Sequence, residues 1–178
     1  MFFIESERLR MIPLTHQLLQ LSHTNRPAME QSLGLNSSAM WVDPLYKNEL
    51  QDPMVNFWLP KSLENTDQYQ WYTNWEIILK SINTSIGGMG FNGYPNEQGE
   101  AEIGYMIDGN HQNKGYATES LKLLTDWTFT NDLVKAIIIH TYSDNLPSRR
   151  LLDKYGFEQM EDVEGLLTYR LCRPTSAG

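Results

Sequence analysis

Between Gln112 and Thr118 the chain reads Gln-Asn-Lys-Gly-Tyr-Ala-Thr, at the point where an alternating strand pattern gives way to a helical one. A helix start offers unpaired N–H groups and the positive end of the helix dipole, and together these attract anions. Gly115 lets the backbone come close to a ligand, and the small Ala117 leaves room for a diphosphate across the first turn. One glycine before a helix also serves as an ordinary turn. The stretch lacks the Gly-Lys-Ser/Thr ending of a nucleotide P-loop and the paired glycines of a dinucleotide turn, which argues against ATP and NAD.

Charge agrees with an anion there. The 178 residues carry a formal net charge of −8, yet Gln112 to Lys154 is close to +1 and the remainder therefore close to −9. Charge steering favours a polyphosphate on the first stretch and a cationic co-substrate on the acidic remainder. The excess of acid argues against general nucleic-acid binding, which needs a basic face. The single cysteine, Cys172, permits no internal disulfide and no cysteine zinc site, and it fits a reducing compartment. No apolar run approaches the roughly 18 residues of a membrane span, and the opening Met1-Phe2-Phe3-Ile4-Glu5 lacks the basic start of a signal peptide. A cytoplasmic chain that binds neither membrane nor nucleic acid is the expectation.

The elements that must position this turn follow from periodicity. Arg8 to Pro13 alternates as a strand, and Thr15 is placed to cap a short helix through Leu18, Leu19 and Leu21. Residues 25–74, broken by Pro27, Pro44, Pro53 and Pro60, read as short helices and loops. Their aromatics, Trp41 to Tyr72, divide between core and acceptor pocket. Trp75 to Lys80 and Ser85 to Phe91 form a hairpin around Asn83-Thr84, and Ala101 to Ile107 forms the next strand. Gly115 to Thr130 carries Ala117, Leu121, Leu124 and Thr128 at helical spacing. A buried strand over 134–142 follows, then a helix from Asp144-Asn145 that Gly156 ends. Strands over 158–161 and 166–172 complete an α+β, or mixed α/β, single domain over residues 1–173, with 174–178 as a loose tail.

Glu102-Ile103-Gly104-Tyr105-Met106-Ile107, five residues, then Gln112-Asn113-Lys114-Gly115-Tyr116-Ala117-Thr118-Glu119 resembles the signature of the GNAT acyltransferase superfamily. Its acetyl-coenzyme A motif, Arg/Gln-x-x-Gly-x-Gly/Ala after a strand, is matched by Gln112, Gly115 and Ala117. Asn145-Leu146-Pro147-Ser148, running on to Gly156-Phe157, is similar to the family's second cofactor segment. The resemblance covers about residues 75–160. Glu7-Arg8-Leu9-Arg10 resembles the opening of the branch that holds the Rim-type ribosomal-protein N-terminal acetyltransferases.

The resemblance implies a central, mostly antiparallel twisted sheet of about six to seven strands, flanked by helices, with one splayed parallel pair. It implies acetyl-coenzyme A as co-substrate, with the pantetheine arm on the backbone of Met106 and Ile107. The pyrophosphate would lie on the N–H groups of Gln112, Asn113, Lys114, Gly115, Tyr116, Ala117 and Thr118. Asn145 would bond the pantetheine arm and Ser148 would face the thioester sulfur as proton donor to the leaving thiolate. Arg149, Arg150 and Lys154 are either outer-phosphate ligands or solvated bases. The reaction implied is direct attack of a neutral amine on the thioester, with no metal and no covalent enzyme intermediate. Glu102 and His140 are the alternative bases, and a water chain could replace both; an unperturbed imidazole titrates near pH 6.5, apt for proton transfer. Many relatives carry a tyrosine acid seven residues after the Asn, where this chain has Leu152, so the acid role passes to Ser148, to Tyr155 or to no residue. The acceptor is a protein N-terminus or a small-molecule amine. The competing reading is a non-catalytic acyl-coenzyme A sensor, and exposed strand edges leave a homodimer open.

Overall fold

The structure, a computed structural model, describes residues 1–41 and 53–175. Pro44, Tyr46 and the tail residues 176–178, all part of the reading above, lie outside the described residues. Eight strands form one sheet in the order β1-β2-β3-β4-β5-β6-β8-β7. They are β1 (Ile4–Glu5), β2 (Leu9–Pro13), β3 (Asn74–Leu79), β4 (Thr84–Phe91), β5 (Glu100–Ile107), β6 (Ala136–Tyr142), β7 (Glu158–Val163) and β8 (Leu166–Cys172). All neighbours are antiparallel except β5 and β6. The strand beyond the expected six to seven is β1, two residues too short for any periodicity, which forms because β2 offers it an edge at Ile4↔Met11.

The helices are α1 (His16–Thr24), α2 (Arg26–Ser32), α3 (Leu59–Glu64), α4 (Tyr116–Thr128) and α5 (Leu146–Tyr155), with a π-helical turn at Met54–Trp58 and 3-10 turns at Thr66–Trp71 and Gly109–His111. Thr15 caps α1 by accepting from the Leu18 N–H, as its position before the apolar run predicts. Gly156 ends α5 in the left-handed conformation, φ 106°. No helix of the described residues is long and apolar enough to cross a membrane.

Alternation along the strands divides the sheet into two faces. On one, Trp75, Ile77, Ile103, Ile137 and Ile139 pack under Leu121 and Leu124 of α4 and Leu152 of α5. Trp71, Trp75, Phe91 and Trp127 meet there with ring centroids 4.6–5.7 Å apart. Aromatic area of this size dominates core energetics, so Trp71 and Trp75 are structural. Across the first half of the sheet the other face is covered by a smaller cluster of Leu14, Leu19 and Met29. Arg26 of α2 reaches through it to two buried carboxylates, Glu76 at 2.5 Å and Glu30 at 3.2 Å, with Ser85 and Asn74 donating to Glu76. Buried charges of this kind hold only when each is paired and hydrogen-bonded, and here they fix residues 25–38 to the sheet. Over β5, β6 and β8 no helix of the described residues covers that same face, and it is there that polar side chains gather.

Candidate active site

The turn between β5 and α4 is built to leave its N–H groups unspent. Asp108, 3 % exposed, closes β5 by accepting from the N–H groups of Trp41 and Asn110 and bonding His111 Nδ1 at 2.8 Å. Burial alone would raise its carboxyl; the Trp41 N–H, His111 and the Asn110 N–H outweigh that and hold it below the usual carboxylate range. The Gln112 amide donates to the Ile107 carbonyl at 3.2 Å, so this side chain braces the turn, and Lys114 Nζ donates to the Asn110 carbonyl at 3.1 Å. Asn113 (φ 60°) and Gly115 (φ 82°) then take left-handed backbone conformations that redirect the chain into the helix. The first bond of α4 runs from the Glu119 N–H to the Gly115 carbonyl. The N–H groups of Gly115, Tyr116, Ala117 and Thr118 precede it and point off the helix start with no helical carbonyl to meet.

Beside this turn the sheet opens. β5 pairs with β6 only through Glu100–Glu102 against Ala136–Ile138, while β4 continues to pair with β5 from Phe91↔Ile103 to Gly87↔Ile107. From Ile103 onward the β6 side of β5 therefore has no strand partner; the Ile107 carbonyl is met there by the Gln112 amide, while the Met106 carbonyl faces β4. The other side is tight: a side chain on Gly87 would start 2.2 Å from the Met106 carbonyl. On the helix-bearing face of this opening sits Ser148 in the first turn of α5, its N–H capped by Asn145 Oδ1 at 3.3 Å. Its hydroxyl lies 2.7 Å from Tyr105 Oη. Burial raises the Tyr105 phenol above its ordinary value, and the bond to Ser148 pulls the other way by less, so the phenol stays protonated through neutral pH.

The opposite face holds the titratable pair. His140 Nε2 lies 3.8 Å from Glu102 Oε2, an ion-pair separation longer than a hydrogen bond, and His140 Nδ1 meets Thr168 Oγ1 at 3.1 Å. Asn92 donates to the other Glu102 oxygen at 2.5 Å. A cavity of 430 Å³ opens here, lined by Asn96, Glu100, Glu102, His140, Thr168 and Arg170 among others. Arg170 is turned toward Glu100 at 3.3 Å, which leaves the Glu102 carboxylate and the His140 imidazole facing the cavity.

Of the residues singled out in the sequence, the structure thus brings Glu102 to His140, places Ser148 beside Asn145, and sets Gln112 to Thr118 on a helix start. It does not bring Ser148 to the Glu102–His140 pair, since the two lie on opposite faces of the sheet. Leu152, at the position of the familiar tyrosine, is fully buried in the core. Tyr155 packs against Phe157 with ring centroids 5.7 Å apart, and burial raises its phenol. Arg149 donates to the Ser143 carbonyl at 2.9 Å, while Arg150 and Lys154 are exposed. Sequence reasoning missed Tyr105 and Thr168. Tyr105 shares the inward phase of Ala101, Ile103 and Ile107, which reads as core; Thr168 needs the His140↔Thr168 register of β6 and β8, which no local pattern discloses.

Comparison with known proteins identifies the family and the fold. The family model of the acetyltransferase (GNAT) domain matches residues 20–158. The chain is 27% identical over 157 residues to the uncharacterized N-acetyltransferase YjdG of Bacillus subtilis, covering 88% of this chain and 90% of that one. It is 40% identical over 91 residues to the uncharacterized N-acetyltransferase p20 of Bacillus licheniformis, about half of each chain (51% and 49%). Among solved structures, the ribosomal-protein-S5-alanine acetyltransferase of Vibrio fischeri superposes with a TM-score of 0.64 at 14% identity, over 97% of both chains. The ribosomal L7/L12 alpha-N-protein acetyltransferase RimL in complex with coenzyme A gives 0.62 at 18% identity, over 96% of this chain and 98% of that one. At these identities the two structures speak for the fold.

Proposed function

The chain belongs to the GNAT acetyltransferase family, and from that premise we propose that its single domain, residues 1–173, moves an acetyl group from acetyl-coenzyme A to a primary amine by direct attack in a ternary complex. The observation that carries this reading is the opening between β5 and β6, which has an anion turn and a paired hydroxyl on one face and an imidazole–carboxylate pair on the other. Coenzyme A would lie with its pyrophosphate on the N–H groups of Gln112 to Thr118 and its pantetheine arm along the β6 side of β5 at Met106 and Ile107, with Asn145 alongside. The thioester would then reach the gap, and the amine would approach from the face of Glu102 and His140.

In the reaction the amine nitrogen forms a bond to the thioester carbon and the ammonium proton passes to His140, whose positive charge the Glu102 carboxylate stabilises. Unpaired N–H groups on the β5 edge stabilise the oxyanion. The tetrahedral adduct collapses with cleavage of the C–S bond, and the thiolate takes a proton from Ser148 as Ser148 takes one from Tyr105; solvent then reprotonates Tyr105 and accepts the proton held by His140, which restores the enzyme. The products are an acetamide and coenzyme A; no group of the protein is acylated. The cavity bears Glu100 and Glu102, which suits a cationic acceptor: a protein N-terminus, as for the ribosomal-protein enzymes it resembles in fold, or a small-molecule amine.

The test is thiol release from acetyl-coenzyme A across a panel of basic N-terminal peptides and polyamines, with mass spectrometry of the acceptor. A gain of 42 Da on one acceptor class, lost in His140→Ala, is the expected result. Cofactor binding with no acceptor acetylated anywhere in the panel would favour the sensor reading instead.

A further inference from the structure

The opening Glu7-Arg8-Leu9-Arg10 takes no part in the reaction above, yet Arg8 lands on the anion turn. Its Nε and Nη2 grip Glu119 Oε2 at 2.7 and 2.6 Å, its Nη1 donates to the Lys114 carbonyl at 3.1 Å, and its guanidinium lies 4.7 Å from the centroid of the Tyr116 ring. The other Glu119 oxygen accepts from the Ser6 hydroxyl at 2.6 Å and from the Arg8 N–H at 3.3 Å. The clasp is anchored in the sheet, since the Lys80 N–H donates to the Arg8 carbonyl and Lys80 Nζ to the Ser6 carbonyl, both at 2.9 Å. Arg8 Nη2 sits 3.4 Å from where a side chain on Gly115 would begin.

The carbonyl and N–H of a trans peptide point to opposite sides. Holding the Lys114 carbonyl toward Arg8 therefore turns the Gly115 N–H the other way, into the space before the helix. Arg8 is well suited to the task because its planar fork holds a carboxylate and a carbonyl at once, as a lysine ammonium cannot. Glu119, in the first turn of α4, would repel phosphates were it not covered by this guanidinium.

We propose that Arg8 is a positioning residue for coenzyme A: anchored on Glu119, it holds the Lys114 carbonyl and so presents the N–H groups of the turn to the cofactor's pyrophosphate. This rests on the acetyl-coenzyme A reading above. Its charge is spent on Glu119, so it acts through the backbone of the turn.

Isothermal titration of coenzyme A and of 3′-dephospho-coenzyme A into the full chain and into Arg8→Gln, Arg8→Lys and Glu119→Gln tests this, with melting temperatures taken without cofactor. Each variant should bind both ligands about tenfold more weakly, by the same factor for the two because the pyrophosphate is common to both. Glu119→Gln should weaken binding although it removes a negative charge, since Arg8 loses its anchor. Tighter binding by Glu119→Gln, or a loss confined to coenzyme A, would make Arg8 a direct phosphate ligand and overturn the proposal. Lower melting temperatures with unchanged affinities would reduce it to a structural brace. A wild-type chain that binds no coenzyme A at millimolar concentration removes the cofactor reading itself, whereas tight wild-type binding that all three variants retain removes only the role of Arg8.

Discussion

The two faces of the open sheet are made of different material. On the helix-bearing face the groups proposed for the cofactor are mostly backbone N–H and C=O, drawn from one continuous stretch of chain, Ile107 to Thr118, with the side chains of Tyr105, Ser148 and Asn145 beside them. On the opposite face they are side chains from β5, β6 and β8, 38 and 28 residues apart along the chain in the case of Glu102, His140 and Thr168. A backbone site is indifferent to most side chains and sensitive to conformation, so it tolerates substitution except where φ is left-handed. A side-chain site depends on strand register and on every residue that lines it. That difference orders the effects expected from mutation.

The largest is expected at Gly115. Its φ of 82° is costly for any other residue, by about 1–2 kcal/mol. Gly115→Glu adds a carboxylate before the helix start and a side chain against Arg8, so coenzyme A binding should fall by about a hundredfold or more, read by titration calorimetry. A variant that binds normally would remove the backbone account. On the opposite face His140→Ala should lower kcat by about a hundredfold while the affinity for coenzyme A holds; equal losses in both would show that the two faces are not separable.

Tyr105→Phe should cost less, about tenfold in kcat, because it leaves Ser148 in place but removes the phenol that orients it. The loss should shrink with an acetyl donor whose thiol is more acidic, since a better leaving group needs less help from a proton donor. A loss of the same size with both donors would make Tyr105 a packing residue only. The smallest effect concerns acid stability. Glu119 is pushed up by burial and pulled further down by the Ser6 hydroxyl and Arg8, so its folded value lies below the unfolded value near 4.3. Its contribution to stability is present above the unfolded value and lost as pH falls through the folded one. Melting temperatures between pH 5 and pH 3 should therefore decline less steeply in Glu119→Gln than in the parent chain; parallel curves would contradict the shift.

The same difference governs how much was legible beforehand. The helix start at Gly115, the cap at Thr15, the hairpin turned at Asn83 (φ 48°) and the end of α5 at Gly156 are local, each decided by one residue's conformational range, and all stand where periodicity and turn chemistry place them. The pairing of Glu102 with His140 depends on the register of the parallel pair at Glu102↔Ile138, which hydrophobic alternation in β6 sets only for the strand as a whole. Tyr105 was hidden for a related reason: its alternation phase marks the core, and only the placement of α5 turns its hydroxyl onto Ser148. Nothing local in the sequence marks Glu30 and Glu76 as buried; they are so because α2 brings Arg26 over them.

The separation of the two faces is tested most directly by the melting temperature with and without acetyl-coenzyme A, in the parent chain, Gly115→Glu, Glu102→Gln and His140→Ala. At about 100 times its Kd the ligand should add about 2.7 kcal/mol, or roughly 5–10 °C for a chain of this length. The shift should vanish in Gly115→Glu and persist in Glu102→Gln and His140→Ala. No shift in the parent chain at millimolar ligand, or a shift lost equally in all three variants, would contradict a cofactor held on one face and an acceptor met on the other.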